Sequence, residues 1–512
     1  MKNNFIKSVG IITLIAIVSK ILGFGRELLM AAYFGASDVT DAFFVAQIIP
    51  VLMFTAVGMA ITTGMAPIYA NAKLNQGQKE AGNIISVLGT IFLFGSIVVT
   101  VIFYFLTPYI TLVMAPGFNQ EQLELTNTLT RIMLPSFCFY VMAAIMTGIL
   151  EYEKRFVPPA LVAIPQSLFI IIAIIFLSDT YGIYGIAIAT LLGAVSQYLL
   201  QYPFVKKYKV MNINIHFKKY KTVIKDTLIL FSPIIIASVA YQINAVVDKM
   251  VASQLSAGSV SALNYSNKLM YLPVSIILLP LITVLYPTVI DAAIEKGKEL
   301  IKIIFKGLNL IFFISIPIMT VMLIESQELV DFAYKRGAFG EEASIMTTNA
   351  FFFYTLGMVF VALKEFLNRF YVAIQDTRIT MIGSVAAIVI NIIFSVILSR
   401  FLEVGGIALA TSIAMFMQTV FLFIFLPKRI EIHMSDIKSF LKAFLKLLLI
   451  WAAVYFVTNE ISHLYSELHL ILQLVISTII TFCFFALVSA LLKVEEMNLL
   501  LKMLKRRKNN VE

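Results

Sequence analysis

The chain has 512 residues, 60% hydrophobic and 13% charged, with a mean hydropathy of +0.93 and a formal net charge of +10. A soluble globular chain carries about a quarter charged residues, so this composition excludes an ordinary soluble enzyme or binding module and defines a polytopic membrane protein. The two cysteines, Cys138 and Cys483, lie in apolar stretches and read as small buried hydrophobes, not as a disulfide framework.

A membrane span needs about 20 apolar residues. That length predicts an all-α fold of fourteen transmembrane helices, centred near Ile15, Met53, Gly95, Phe139, Ile170, Leu192, Ile236, Ile277, Ile311, Val359, Ile388, Met415, Leu449 and Thr478. The first apolar run is flanked by Lys2 and Lys7 and has no small-residue cleavage site, so it is expected to be a helix and not a removable signal. Lys20 and Glu27 share a face of this helix, and Gly23 and Gly25 permit a bend that would turn Arg26 inward beside them. Ionisable groups inside spans are costly and mark functional positions. Two cations against one anion leave a positive charge for a ligand; internal neutralisation of Glu27 is the structural alternative. Asp41, one turn into the second helix after Ser37 and Asp38, fits either a cavity or a cap on free backbone N–H groups.

Further along the chain, the seventh helix carries Tyr241, Asn244 and Asp248 as one stripe, and the eighth carries Asn264, Asn267, Lys268 and Tyr271 as another. Each would line a wet cavity or pair with the other, and Asp248 could instead pair with Lys249. The tenth helix carries Lys364, Glu365, Asn368 and Arg369, where Glu365 and Arg369 form a favourable i, i+4 pair. Asn244, Asp248, Asn368 and Asp376 are candidate oxygen ligands for a coupling Na⁺ or H⁺; for Asp376 a helix-capping role is the favoured alternative. No other cofactor or metal site is indicated. The four histidines lie in or beside loops, and nucleotide-binding and nucleophile motifs are absent, so the chain is expected not to be an enzyme.

The sequence repeats itself once. Gly35 and Pro50 recur as Gly258 and Pro273, Arg26 falls opposite Lys249, Glu153 and Arg155 opposite Asp376 and Arg378, and GIAIAT at 185–190 returns as GIALAT at 406–411. Six spans per repeat is even, so the two halves are parallel. The expected organisation is a six-helix lobe at 1–205, a basic linker at 206–225, a second six-helix lobe at 226–428, and two further helices with a basic tail at 429–512. Basic residues cluster in alternate loops, at Lys73 and Lys79, Lys154 and Arg155, Lys296 to Lys302, and Lys428 and Arg429, as well as in the linker and the tail at 505–508. This asymmetry places both termini in the cytoplasm, with Lys335, Arg336 and Arg400 as exceptions. Duplicated bundles of this kind are typical of secondary transporters. The positive charge follows from topology and needs no nucleic-acid partner; the linker lysines suit anionic lipid head groups.

Residues 20–27 (KILGFGRE), 31–37 (AAYFGAS) and 40–46 (TDAFFVA) resemble the N-terminal signature of the MurJ (MviN) family of bacterial lipid II flippases. GSVSALNYSNKLMYLP at 258–273 and FYVAIQDTR at 370–378 are similar to two further segments of that family, and the likeness covers nearly the whole chain. The resemblance implies a V-shaped alternating-access transporter of the multidrug/oligosaccharidyl-lipid/polysaccharide superfamily, whose last two helices form a groove for a lipid tail. It implies an undecaprenyl-diphosphate-linked peptidoglycan precursor as substrate, a bacterial cytoplasmic membrane location and cell-wall synthesis proteins as partners. On the matching positions, Arg26 takes the place of an essential family arginine, while Lys20 and Lys268 each replace an arginine and lose its bidentate fork. Glu27, Asp41, Asn264 and Asn267 complete the expected substrate-binding set. The family usually carries a basic pair after the second-helix proline, and Pro50 here is followed by none. That departure keeps open another undecaprenyl-linked oligosaccharide, a cation-coupled drug exporter of the superfamily, and a non-transporting scaffold.

Overall fold

The computed structural model describes residues 2–295, 298–430 and 433–497, without the side chains of residues 2–9, 233–234, 236–237, 239–241, 295, 298 and 428. The side chains of Lys2, Lys7, Tyr241, Lys298 and Lys428, together with Lys296 and the tail at 505–508, therefore lie outside the described residues. Every regular element among the described residues is helical. Nine helical runs there are long and apolar enough to cross a membrane. Three of these, of 77, 52 and 49 residues, would measure about 115, 78 and 73 Å if straight, against about 30 Å of hydrocarbon. Residues with non-helical backbone break them at Gly77, Gly182 and Glu403, which sit at φ 82°, 53° and 49°.

Contacts divide the chain into two compact units. The first comprises residues 1–261 and 336–339. It holds α1 (Lys2–Phe34), α2 (Asp38–Ala46), α3 (Ile48–Met114), α4 (Gln120–Met133), α5 (Ser136–Tyr152), α6 (Val157–Leu161), α7 (Ala163–Val205) and α8 (Lys221–Ala252). Local sequence sets the starts of these helices. The Ser37 hydroxyl accepts from the Thr40 N–H at α2, and Asn119 with Gln122 forms a reciprocal capping box at α4. The core joins Ile61, Met65 and Tyr69 of α3 to Ile145 and Ile149 of α5 and Phe231 of α8. A Cβ on Gly64 would stand 2.1 Å from the Phe231 ring, so glycine lets α8 approach α3 this closely. Thus α8 belongs to the second repeat by sequence and to the first unit by packing. The linker is tied to α3 as well: Ser86 Oγ donates to the Lys209 carbonyl, and Lys219 and Tyr220 both donate to Glu80 at 2.7 Å.

The second unit comprises residues 262–335 and 340–512. Its elements are α9 (Ser259–Pro273, from Ala262 onward), α10 (Leu279–Glu295), α11 (Lys298–Ile324), α12 (Ser326–Tyr334), α13 (Glu341–Ala373), α14 (Thr377–Phe425), α15 (Met434–Ser462) and α16 (Leu470–Leu491). A π-turn, Val274–Leu278, joins α9 to α10 directly after Pro273. Aromatic pairs seat the last two helices on α11: Phe305 with Phe440 at 4.7 Å, Phe312 with Phe444 at 4.6 Å and Phe313 with Phe485 at 4.8 Å between ring centroids.

The internal repeat is visible in the backbone, with one correction. Gly182 and Glu403, 221 residues apart, break their helices at closely similar angles (φ 53°, ψ −141° and φ 49°, ψ −127°). Lys154 and Gln375 are the left-handed residues of equivalent turns, in which Arg155 and Asp376 close the same 6→1 hydrogen bond. The turns therefore place Arg155, not Glu153, opposite Asp376.

Candidate functional site

In the first unit the charge on α1 is concentrated where helix meets bundle. Arg26 Nη2 lies 2.7 Å from Glu27 Oε1, with the guanidinium side chain 27% exposed and the carboxylate 7%. The neutralisation of Glu27 therefore runs through Arg26. The Tyr140 hydroxyl accepts a 2.8 Å bond from Gln166, and Gln166 in turn accepts from Gln197. Lys20, two turns away, is on an exposed stretch of the helix.

Beyond Tyr140 a cavity of about 390 Å³ opens within this unit, lined by Thr62, Thr147, Glu151, Gln197 and Gln201 as well as apolar side chains. Thr147 and Gln201 are hydrogen-bonded at 3.0 Å. Gln166, Gln197 and Gln201 are not among the residues predicted from sequence. The available signal was a pair of amides, 197 and 201, one turn apart in an otherwise apolar helix.

Asp41 is placed differently from either expectation. Its own helix is capped by Ser37, and its carboxylate, 2% exposed as a residue, accepts the backbone N–H groups of Gly258 at 2.8 Å and Ser261 at 2.7 Å, and the Ser261 hydroxyl at 2.5 Å. These donors belong to the first turn of α9, whose free N–H groups need an acceptor. Asp41 thus caps a helix more than 200 residues away, with the favourable charge sign for a helix N-terminus. Lys249, the repeat partner of Arg26, donates to the Phe44 carbonyl at 2.9 Å in the last turn of α2. Asn244 and Asp248 stand one turn apart on α8, both partly exposed.

In the second unit the predicted stripe of α9 follows its open face. Lys268 and Tyr271 are exposed, Asn264 and Asn267 half-buried, and Tyr265, Ser266 and Met270 on the other face are buried. Tyr334 fixes that buried face, its ring 5.1 Å from Tyr265 and its hydroxyl on the Tyr265 carbonyl. On α13, Arg369 contacts Glu365 at 3.4 Å and Thr283 at 3.1 Å, the pairing expected from their spacing. Asn368 Oδ1 beside them is buried without a hydrogen-bond partner. Asp376 stands at the N-cap position of α14 but does not cap it; its carboxylate pairs with Arg429 at 2.5 Å, joining the two ends of the long α14 hairpin.

A multi-pass, duplicated helical bundle with amides and charges held inside apolar rods defines a membrane transporter, and solved structures share this fold. A multidrug resistance MATE family transporter of the MOP superfamily, in an inward-facing conformation, superposes with a TM-score of 0.70 at 16% identity, over 84% of this chain and 99% of that one. The chain belongs to the MurJ family: the family profile, described as lipid II flippase MurJ, matches residues 30–488. A probable lipid II flippase MurJ from Buchnera aphidicola subsp. Baizongia pistaciae is 31% identical over 80% of this chain and 81% of its own length. The lipid II flippase MurJ of Burkholderia cenocepacia is 26% identical over 81% and 82%. A structure of lipid II flippase MurJ in an inward closed conformation matches with a TM-score of 0.78 at 26% identity, covering 94% of this chain and 99% of that one.

Proposed function

We propose that this protein flips lipid II, the undecaprenyl-diphosphate-linked peptidoglycan precursor, from the inner to the outer leaflet of a bacterial cytoplasmic membrane. The family match across residues 30–488 carries this reading. The repeats at 1–205 and 226–428 open alternately to the two sides, both termini lie in the cytoplasm, and cell-wall synthesis enzymes supply and consume the substrate.

The diphosphate is the part of the substrate that hydrocarbon excludes most strongly, since an unpaired buried charge is costly. Arg26, Lys20 and Lys268 are the cations we assign to it. Arg26 is held by Glu27 yet keeps about a quarter of its side chain exposed, so its remaining N–H donors can take phosphate oxygens in charge-assisted bonds. Glu27 orients the guanidinium, and Asn264 and Asn267 offer neutral donors on the Lys268 face. Asp41 is assigned to structure, because its carboxylate oxygens are already occupied.

Coupling to Na⁺ or H⁺ is assigned to Asp248 with Asn244, and to Asn368, whose unpartnered Oδ1 suits a hard cation. A coupling ion can bias alternating access only through unequal affinity for the two states. In sealed vesicles carrying lipid II, Arg26→Ala is expected to abolish flipping by protein that still inserts, with a loss of stability because Glu27 loses the Arg26 charge, and Arg26→Lys to retain part of the flipping. Normal flipping by a fully inserted Arg26→Ala protein would refute the cationic mechanism at its central residue.

A further inference from the structure

A second cationic site, independent of the reading above, lies wholly within the second unit. Lys302 and Lys306 stand one turn apart on α11, Lys442 and Lys446 one turn apart on α15, and Lys493 follows α16; all five line one cavity of about 440 Å³. Asp436, Glu495 and Glu496 share the lining, so five lysines face three carboxylates and leave two positive charges when every group is ionised. Like charges at i, i+4 are mildly unfavourable on a helix, and here two such pairs converge on one cavity. Lys446 is fixed in place by donating to the Leu492 carbonyl at the end of α16. The stacked rings of Phe305 and Phe440 form part of the wall and hold the two lysine rows at a set spacing.

One neutral group points to the ligand more narrowly. Asn309 lines the same cavity, is 7% exposed, and its Oδ1 is buried with no hydrogen-bond partner. A buried acceptor without a donor is rare in native structures and calls for a missing donor. The ligand should therefore combine a phosphate with a hydroxyl. Leu441, Leu445 and Leu449 are exposed along α15 beside the lysine row, a surface that suits acyl chains and not water. We propose that this cavity binds the head group of an anionic glycerophospholipid of the phosphatidylglycerol type, its phosphate among Lys302, Lys306 and Lys442 and a head-group hydroxyl donating to Asn309 Oδ1.

The test is native mass spectrometry of the full chain released from vesicles of phosphatidylglycerol and phosphatidylcholine. The wild type should retain a phosphatidylglycerol molecule. Lys302→Gln/Lys306→Gln/Lys442→Gln should retain it about fivefold less or worse, and the matching triple arginine variant should retain it fully, which separates lost charge from lost folding. Asn309→Leu should weaken phosphatidylglycerol but leave phosphatidic acid, which lacks the head-group hydroxyl, unchanged. Unchanged retention by the triple glutamine variant overturns the site. So does an equal loss in a linker control, Lys206→Gln/Lys207→Gln/Lys209→Gln, because that result means bulk charge alone. Displacement of the lipid by millimolar glycerol 3-phosphate would assign the cavity to a soluble phosphate and overturn the lipid proposal.

Discussion

Replacing Asp41 by alanine removes the acceptor for two backbone N–H groups and one hydroxyl at the start of α9, at a position only 2% exposed. Hydrogen bonds to an ionised group contribute about 1.5–3 kcal/mol each, and a buried donor left unpaired costs about 1–3 kcal/mol. These contributions are not additive, and water entering the space left by the carboxylate would recover some of the loss. A destabilisation of about 3–5 kcal/mol is expected, comparable with breaking a buried charged pair. For a unit of this size that corresponds to a thermal midpoint lower by about 10 °C. Asp41→Asn keeps one acceptor oxygen but turns an amide N–H₂ toward a donor, so roughly half the loss is expected. Unfolding of the full chain in detergent can be followed by labelling of Cys138, a free and half-buried thiol in the same unit. Hydrogen exchange of the amides of Gly258 and Ser261 reads the cap directly. An Asp41→Ala protein with an unchanged midpoint and unchanged exchange at these amides would refute the cap. Lost flipping with unchanged stability would instead put Asp41 back on the substrate path.

Three further substitutions test other parts of the structure. Glu403 holds a left-handed conformation, φ 49° and ψ −127°, that its repeat partner Gly182 adopts freely; Glu403→Gly should stabilise by about 1 kcal/mol, the relieved strain exceeding the added unfolded-state entropy, and a lower thermal midpoint would contradict this. Gly258 sits at φ +86° with a would-be Cβ 2.5 Å from the Ala36 carbonyl oxygen, so Gly258→Ala should destabilise by about 2 kcal/mol or more through strain and clash, measured by the same unfolding assay. Glu325, 1% exposed and bonded to Gln473 at 2.9 Å, has its carboxyl pushed up by burial. A raised acid contributes stability in its protonated form, which is lost as pH rises through the raised value. The advantage of Glu325→Gln over the wild type should therefore grow as pH is raised above the ordinary 4.5, and an advantage that is flat or falls with pH would contradict burial as the cause.

The membrane class and the duplication were legible because both are written in many residues at once: apolar length over the whole chain, and matched positions some 220 residues apart. The grouping of helices was not legible in the same way. That α8 packs with the first unit depends on Gly64 admitting the Phe231 ring, a contact between residues far apart in sequence whose identities, a glycine and a phenylalanine in apolar helices, are unremarkable. Sequence marks where a close approach is permitted and leaves open what makes it.

The site follows the same division. Charges inside spans are conspicuous, so Arg26, Glu27, Asp41 and Lys249 could be picked out, and the repeat drew attention to Asp376 in its turn, but the partner that satisfies each is set by tertiary structure. Arg26 and Glu27, neighbours in sequence, are joined as their adjacency suggests. Lys249, by contrast, occupies the equivalent position in the second repeat and holds a carbonyl of α2, so a duplicated position has kept its charge and acquired a different role. The turns show why: Lys154 and Gln375 share a left-handed backbone, while Glu153 pairs with Lys73 and Asp376 with Arg429 from non-equivalent positions in those turns. Backbone geometry survives duplication because each turn must close its own hydrogen bonds. Side-chain pairing need not survive, because the neighbours of the two copies differ; a role inferred by repeat alignment is thus secure for the path of the chain and has to be established anew for every charge.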